Sequence, residues 1–218
     1  MTSTHGSAGP TDATTTPRSE PRSGLRRFTR PVRWVHRTTS ALMLVCIASA
    51  GCLYVPQLAE LVGRRYLVVT VHEWSGLLLP VPVLLGLVSR TLRADLGRLN
   101  RFAPYDRVWL RSALRRDGSP RTAGKFNGGQ KIYAGWIAGA ALVMLCTGLL
   151  MWFTGLTPLV WRTNATFVHD WLAPAIGIVV AGHIGMALGD PEARRGMRTG
   201  WVGRGWARRE HPRWLDER

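Results

Sequence analysis

The feature that most limits what this chain can fold into is its division into four long apolar stretches, at residues 34–55, 67–88, 132–153 and 167–188. Each has about 22 residues, and a helix needs about 20 to cross a hydrocarbon layer ~30 Å thick. The first stretch carries no charge after Arg37, and the third none after Lys131. The second contains His72, Glu73, Pro80 and Pro82, and the fourth His169, Asp170, Pro174 and His183. Such polar groups are costly against lipid, so they are expected to face the interior of a bundle. Proline is tolerated in membrane helices and does not weigh against the assignment. Averages conceal this pattern, because 46% hydrophobic residues and a mean hydropathy near zero are ordinary for a water-soluble protein. The expected fold is an all-α membrane protein, a four-transmembrane-helix up-and-down bundle.

The charges between these stretches set the orientation. Seven arginines precede or open the first helix, eleven Lys and Arg lie between the second and third, and eight follow the fourth. That places 26 of 29 basic residues on one face and leaves only Arg64, Arg65 and Arg162 on the other. Basic loops stay in the cytoplasm, so both termini are expected there, in a multi-pass protein of a bacterial-type cytoplasmic (inner) membrane. The net charge of +16 then reflects topology, with some attraction to anionic lipid headgroups, and not nucleic-acid binding. The two outer connections are short, which pairs helix one with two and helix three with four as antiparallel neighbours.

Residues 1–27 are rich in Ser, Thr, Pro, Gly and Arg and are read as a disordered tail. They lack the apolar run of a signal peptide. Residues 28–200 form the helical domain, and 201–218 a basic C-terminal tail. His5 and His211 fall in these tails and are read as solvated. Cys46, Cys52 and Cys146 lie inside apolar stretches with no CxxC and no CxxCH. This speaks against zinc ribbons, thioredoxin-like chemistry and covalent haem attachment.

The remaining histidines carry the functional signal. His36 and His183 lie near the cytoplasmic ends of helices one and four, and His72 and His169 near the outer starts of helices two and four. The four thus form two layers with one pair in each. His169 and His183 are 14 residues apart. At 100° per residue this is within about 40° of four full turns, and at 1.5 Å per residue it separates them by about 21 Å. Two neutral imidazoles from opposing helices are the axial ligation of a low-spin b haem. Small residues beside the ligands, such as Ser75, Gly76, Gly177 and Gly182, leave room for a macrocycle. Zinc would instead call for four ligands at one depth. Glu73 and Asp170 directly follow the two outer histidines and point about 100° away from them. Two roles stay open for these carboxylates: facing water, or contacts behind the ligands.

The loop before helix three reads Gly124-Lys125-Phe126-Asn127-Gly128-Gly129-Gln130-Lys131. No GxxxxGK[ST] is present, so phosphate binding is not expected. The bare backbone of Gly129 and the amides of Asn127 and Gln130 suit a quinone carbonyl. The same residues also suit a flexible turn and a helix start.

The four helices, the histidines of helices one, two and four, the 14-residue pair and the GKFNxGQK segment together resemble the cytochrome b (gamma) subunit of membrane-bound formate dehydrogenases. That subunit belongs to the wider group of di-haem cytochromes b serving hydrogenases and molybdenum oxidoreductases. The resemblance covers residues 26–200. It implies two haem b groups, with His36 and His183 ligating the inner iron and His72 and His169 the outer. Asn127, Gly129 and Gln130 would border a menaquinone pocket. An iron–sulfur subunit and a molybdenum catalytic subunit would be the partners, with electrons entering at the outer haem and leaving to quinone at the inner side. No nucleophile or acid–base pair marks this chain as the site of substrate chemistry. The long N-terminal tail and the Pro/Arg-rich inner loop depart from the family pattern. Other readings are an anchor for a hydrogenase or sulfur-compound oxidoreductase, a mono-haem sensor, and a haem-free assembly or proton-relay protein.

Overall fold

The computed structural model describes residues 24–115 and 122–216. A short strand β1 (Leu25–Arg26) leads into α1 (Arg30–Tyr54), α2 (Pro56–Val62), α3 (Arg65–Leu78) and α4 (Val81–Gly86). Then come α5 (Arg90–Leu99), α6 (Pro104–Arg115), α7 (Gly128–Trp152) and α8 (Leu159–Gly189). The chain closes with α9 (Pro191–Thr199), β2 (Trp201–Val202), α10 (Arg204–Glu210) and α11 (Pro212–Asp216).

Four of these units are long and apolar enough to cross a membrane: α1, α3 with α4, α7 and α8. A 25-residue helix such as α1 or α7 is about 38 Å long, more than the ~30 Å it must span. The chain is therefore an all-α, multi-pass membrane bundle. Its apolar side chains are largely turned outward, with Ile178 74% and Met186 73% exposed. In water this surface would cost about 25 cal/mol per Å², a penalty that lipid removes. A thin stripe faces inward, where Ala140, Ile176 and Val180 pack with Met43, Ile47 and Leu172.

Within the bundle α1 packs along α3 and α7 along α8, as the short outer connections predict. These two hairpins meet each other more sparsely, through α3–α7 and α1–α8. The space between them holds the site described below.

The boundaries differ from the sequence expectation in three places, each for a physical reason. The fourth helix begins at Leu159, not near 167, so the outer connection is short. Pro158 sets the entry, and Thr163 and Thr166 return their hydroxyls to Leu159 O and Arg162 O, which suits them to helix. The second span is interrupted at Leu79–Pro80, where Pro80 and Pro82 lack the N–H groups a continuous helix needs. The third difference concerns the tails. Leu25–Arg26 pairs antiparallel with Trp201–Val202, and Leu25, Val202, Trp206, Ala207 and Trp214 form a small core. Gly200 makes the corner: its φ of 93° is left-handed, and a Cβ there would lie 2.6 Å from Phe28 O. Thus residues 24–27 and 201–216 are folded against each other. The rest of the expected N-terminal tail, with His5, lies outside the described residues.

On the same end of the bundle, α5 and α6 are fastened beneath the loop before α7. Lys125 reaches both Asp95 oxygens at 2.6 and 2.7 Å, and Lys131 reaches Asp106 Oδ2 at 2.6 Å. The Asp106–Lys131 pair is buried on both sides. Gly128 allows this closeness, since a Cβ there would meet Asp106 O at 2.8 Å.

Candidate functional site

Two histidine pairs face each other between the hairpins. His36 of α1 and His183 of α8 have ring centroids 6.4 Å apart. His72 of α3 and His169 of α8 have centroids 6.2 Å apart. The structure therefore brings the four rings together in the two layers expected from the 14-residue spacing. Among the described residues no three or more His, Cys, Asp or Glu converge as a metal cluster, and the histidines stand two to a layer. A tetrahedral zinc site needs more than a pair supplies.

Around the outer pair opens a cavity of about 710 Å³ whose lining is mainly apolar and includes His72, His169, Gly76, Gly148 and Gly177. Cofactor pockets typically occupy about 300–1,000 Å³. The glycines keep the walls back: a Cβ on Gly76 or Gly177 would meet nothing within 4 Å, and one on Gly148 would approach His169 at 3.6 Å. Glu73 and Asp170 also border this cavity, and Tyr54 donates a short hydrogen bond to Asp170. That contact gives Asp170 a protein partner.

The outer rings are held from behind. Ser49 Oγ lies 2.9 Å from His72 Nδ1, and Thr147 Oγ1 lies 2.9 Å from His169 Nδ1. The inner rings have no hydrogen-bond partner among the described residues. His183 instead stacks face to face on Tyr133, with centroids 4.4 Å apart and planes 11° from parallel. Sequence reasoning missed Ser49, Thr147 and Tyr133. The two hydroxyls had one available signal, as polar residues inside otherwise apolar spans.

Asn127 and Gln130 start α7 with a reciprocal capping box: Asn127 Oδ1 accepts from Gln130 N at 2.8 Å, and Gln130 Oε1 accepts from Asn127 N at 3.1 Å. Both carbonyl oxygens are thereby committed to the helix end, while neither amide NH₂ has a partner among the described residues. Gly129 lies under Trp109 of α6, where a Cβ would come within 3.0 Å of the ring. Its small size is explained by that packing.

The loop is also tied to the tail. His211 is only 2% exposed, and its Nδ1 donates to Gly124 O at 2.6 Å. A ring donating at Nδ1 keeps Nε2 bare, and Arg27 donates to it at 3.1 Å while also reaching Lys125 O at 2.8 Å. The Arg27 guanidinium lies over Trp206 and Phe28. Burial, and then the neighbouring Arg27 charge, push the His211 pKa down to about 3. The solvated role read for His211 from its polar neighbourhood is thus overturned. The flanking charges hide a residue whose partners lie far away in the sequence.

Four spans, two facing imidazole pairs and a cavity between two hairpins define a polytopic membrane bundle with room for a cofactor. A model of the prokaryotic cytochrome b561 family matches residues 27–199, and the chain belongs to that family. The cytochrome b556(fdo) subunit of Escherichia coli K12 formate dehydrogenase is 27% identical over 207 residues, covering 90% of this chain and 94% of that protein. The cytochrome b556 subunit of Haemophilus influenzae formate dehydrogenase is 33% identical over 97 residues. That match covers 43% of this chain and 41% of the relative. The nitrate-inducible cytochrome b556(Fdn) subunit of E. coli K12 is also 33% identical over 97 residues, or 45% of its length. The chain is thus a membrane cytochrome b, and its family is one of haem b proteins.

Proposed function

We propose that this chain is the di-haem cytochrome b subunit that anchors a formate dehydrogenase-like complex and connects it to the quinone pool. One observation carries the reading. In each layer two neutral imidazoles from opposing helices face one another, the donor set that the iron of a b-type haem would take. The two pairs stand at 6.4 and 6.2 Å. His36 and His183 would hold the inner group, and His72 and His169 the outer. A bis-imidazole haem b supplies reversible one-electron exchange.

The residues of the chain do the rest. The spans would carry the rings within the bilayer, where lipid excludes water, and the glycines hold the cavity walls apart. The capping box leaves the Asn127 and Gln130 amide N–H groups to donate to the carbonyl oxygens of a quinone, menaquinone by the family resemblance. That reading places the quinone at the inner layer, near Tyr133 and His183. The basic residues of α5, α6, α9 and α10 favour the cytoplasmic side for this end and for both termini. The relatives are named as subunits of formate dehydrogenase, and the family resemblance adds iron–sulfur and molybdenum catalytic subunits as the expected partners.

The test is reoxidation of the dithionite-reduced chain, purified in nanodiscs, by a soluble menaquinone analogue. Reoxidation that saturates with quinone concentration supports the reading. A rate no faster than that of free haem in the same nanodiscs contradicts it.

A further inference from the structure

Thr38, Thr70, Ser75, Thr163 and Thr166 each turn their hydroxyl back onto carbonyls of their own helix, with no other partner among the described residues. This is the ordinary way for such side chains to satisfy themselves in apolar surroundings. Ser49 and Thr147 do this as well, and then meet a histidine.

Ser49 gives its hydroxyl proton to Val45 O at 2.7 Å, with Cys46 O at 3.1 Å. Thr147 gives its own to Val143 O at 2.8 Å, with Met144 O at 3.1 Å. A hydroxyl has one proton, so with that proton committed each oxygen faces the imidazole as an acceptor. The hydroxyl behind each ring therefore accepts, which places the ring proton on Nδ1 and leaves the Nε2 lone pair free.

The arrangement is repeated. Ser49 on α1 serves His72 on α3, and Thr147 on α7 serves His169 on α8, so each hairpin carries its own ring and hydroxyl at 2.9 Å. The sequence separations are 23 and 22 residues. The inner pair shows no counterpart among the described residues.

We infer that Ser49 and Thr147 are positioning residues for the outer histidine pair, fixing the Nδ1–H tautomer of both rings and making both imidazoles stronger donors through Nε2. The inference rests on the di-haem reading. A hydrogen bond accepted from Nδ1–H enriches the imidazole, strengthens its bond to iron and favours the oxidised state. The outer haem is thus held at a lower potential than the same ligands would give unaided.

The experiment uses the full chain in nanodiscs, as Ser49→Ala and Thr147→Val, with Ser49→Thr and Thr147→Ser as conservative variants. A redox titration is expected to show one haem shifted to higher potential in the first two and the other unmoved. Affinity of the shifted haem should fall on the order of tenfold, the usual effect of losing such a partner. The conservative variants should restore both properties. Unchanged potentials in Ser49→Ala and Thr147→Val, or equal shifts of both haems, overturn the inference. ¹⁵N-histidine spectra of the haem-free chain give an independent readout. Wild type should show His72 and His169 as Nδ1–H tautomers, and a mixture of tautomers there overturns it. A wild-type chain that binds no haem would fail the functional reading instead, with the tautomer spectra still reporting on the hydrogen bonds.

Discussion

His211 gives a prediction whose size follows from its surroundings. In the folded protein the ring is buried beside Arg27 and its pKa is held at about 3, against about 6.5 when solvated. A base with a depressed folded pKa costs nothing above pH 6.5, where both states are neutral. Below that the opened state takes up a proton that the folded state refuses, and stability falls by ~1.4 kcal/mol per pH unit until about pH 3. From pH 7 to 5 the loss is about 2 kcal/mol, or on the order of a 25-fold larger opening constant. The unit that opens is α10–α11, whose backbone bonds include Ala207 N to Gly203 O, His211 N to Ala207 O and Trp214 N to His211 O. Amide exchange at these positions, corrected for intrinsic rates, should show that increase in wild type. His211→Asn should open more at pH 7, because Gly124 O and Arg27 lose their partner, yet show no such pH slope. An unchanged wild-type opening constant at pH 5, or the same slope in the variant, refutes the argument.

Three further outcomes follow from the inner end of the bundle. Asn127→Asp and Gln130→Glu keep the side-chain oxygens of the capping box but remove the amide donors, so thermal stability should hold while the KM for a quinone analogue rises about tenfold, the worth of ~1.4 kcal/mol of lost hydrogen bonding. Lys131→Met leaves Asp106 buried without its cation and should cost about 3–5 kcal/mol in denaturant unfolding, whereas replacing both members with apolar residues should cost far less. Gly128→Ala forces a Cβ toward Asp106 O and should destabilise by about 1–3 kcal/mol, read as a lower Tm with haem content unchanged.

The spans and the histidine layers were legible because both depend on local quantities. Span length follows from a hydropathy run, and the facing of His169 and His183 follows from helical periodicity alone. The GKFNGGQK segment was legible as a helix start but not as a reciprocal capping box, since Asn127 and Gln130 reveal their carbonyl roles only once α7 begins at Gly128. The start of α8 was missed because Arg162, Thr163 and Asn164 interrupt the apolar run, although helical hydroxyls satisfy themselves without water. The folded tail was hidden for a different reason. Trp206, Trp214 and His211 sit among arginines, and they bury themselves only through contacts with Leu25, Arg27 and Gly124. Ser49 and Thr147 were missed altogether, because nothing in the order of residues says which ring each will meet.

The central claim is that each histidine pair holds its own haem, and counting haems in single-pair variants tests it most directly. Pyridine haemochrome assay of the purified wild-type chain should give two haem b per polypeptide. His36→Ala and His72→Ala should each give one, with the surviving haem at its wild-type potential. A folded wild-type chain with fewer than two haems, or a variant that keeps both, would contradict the account.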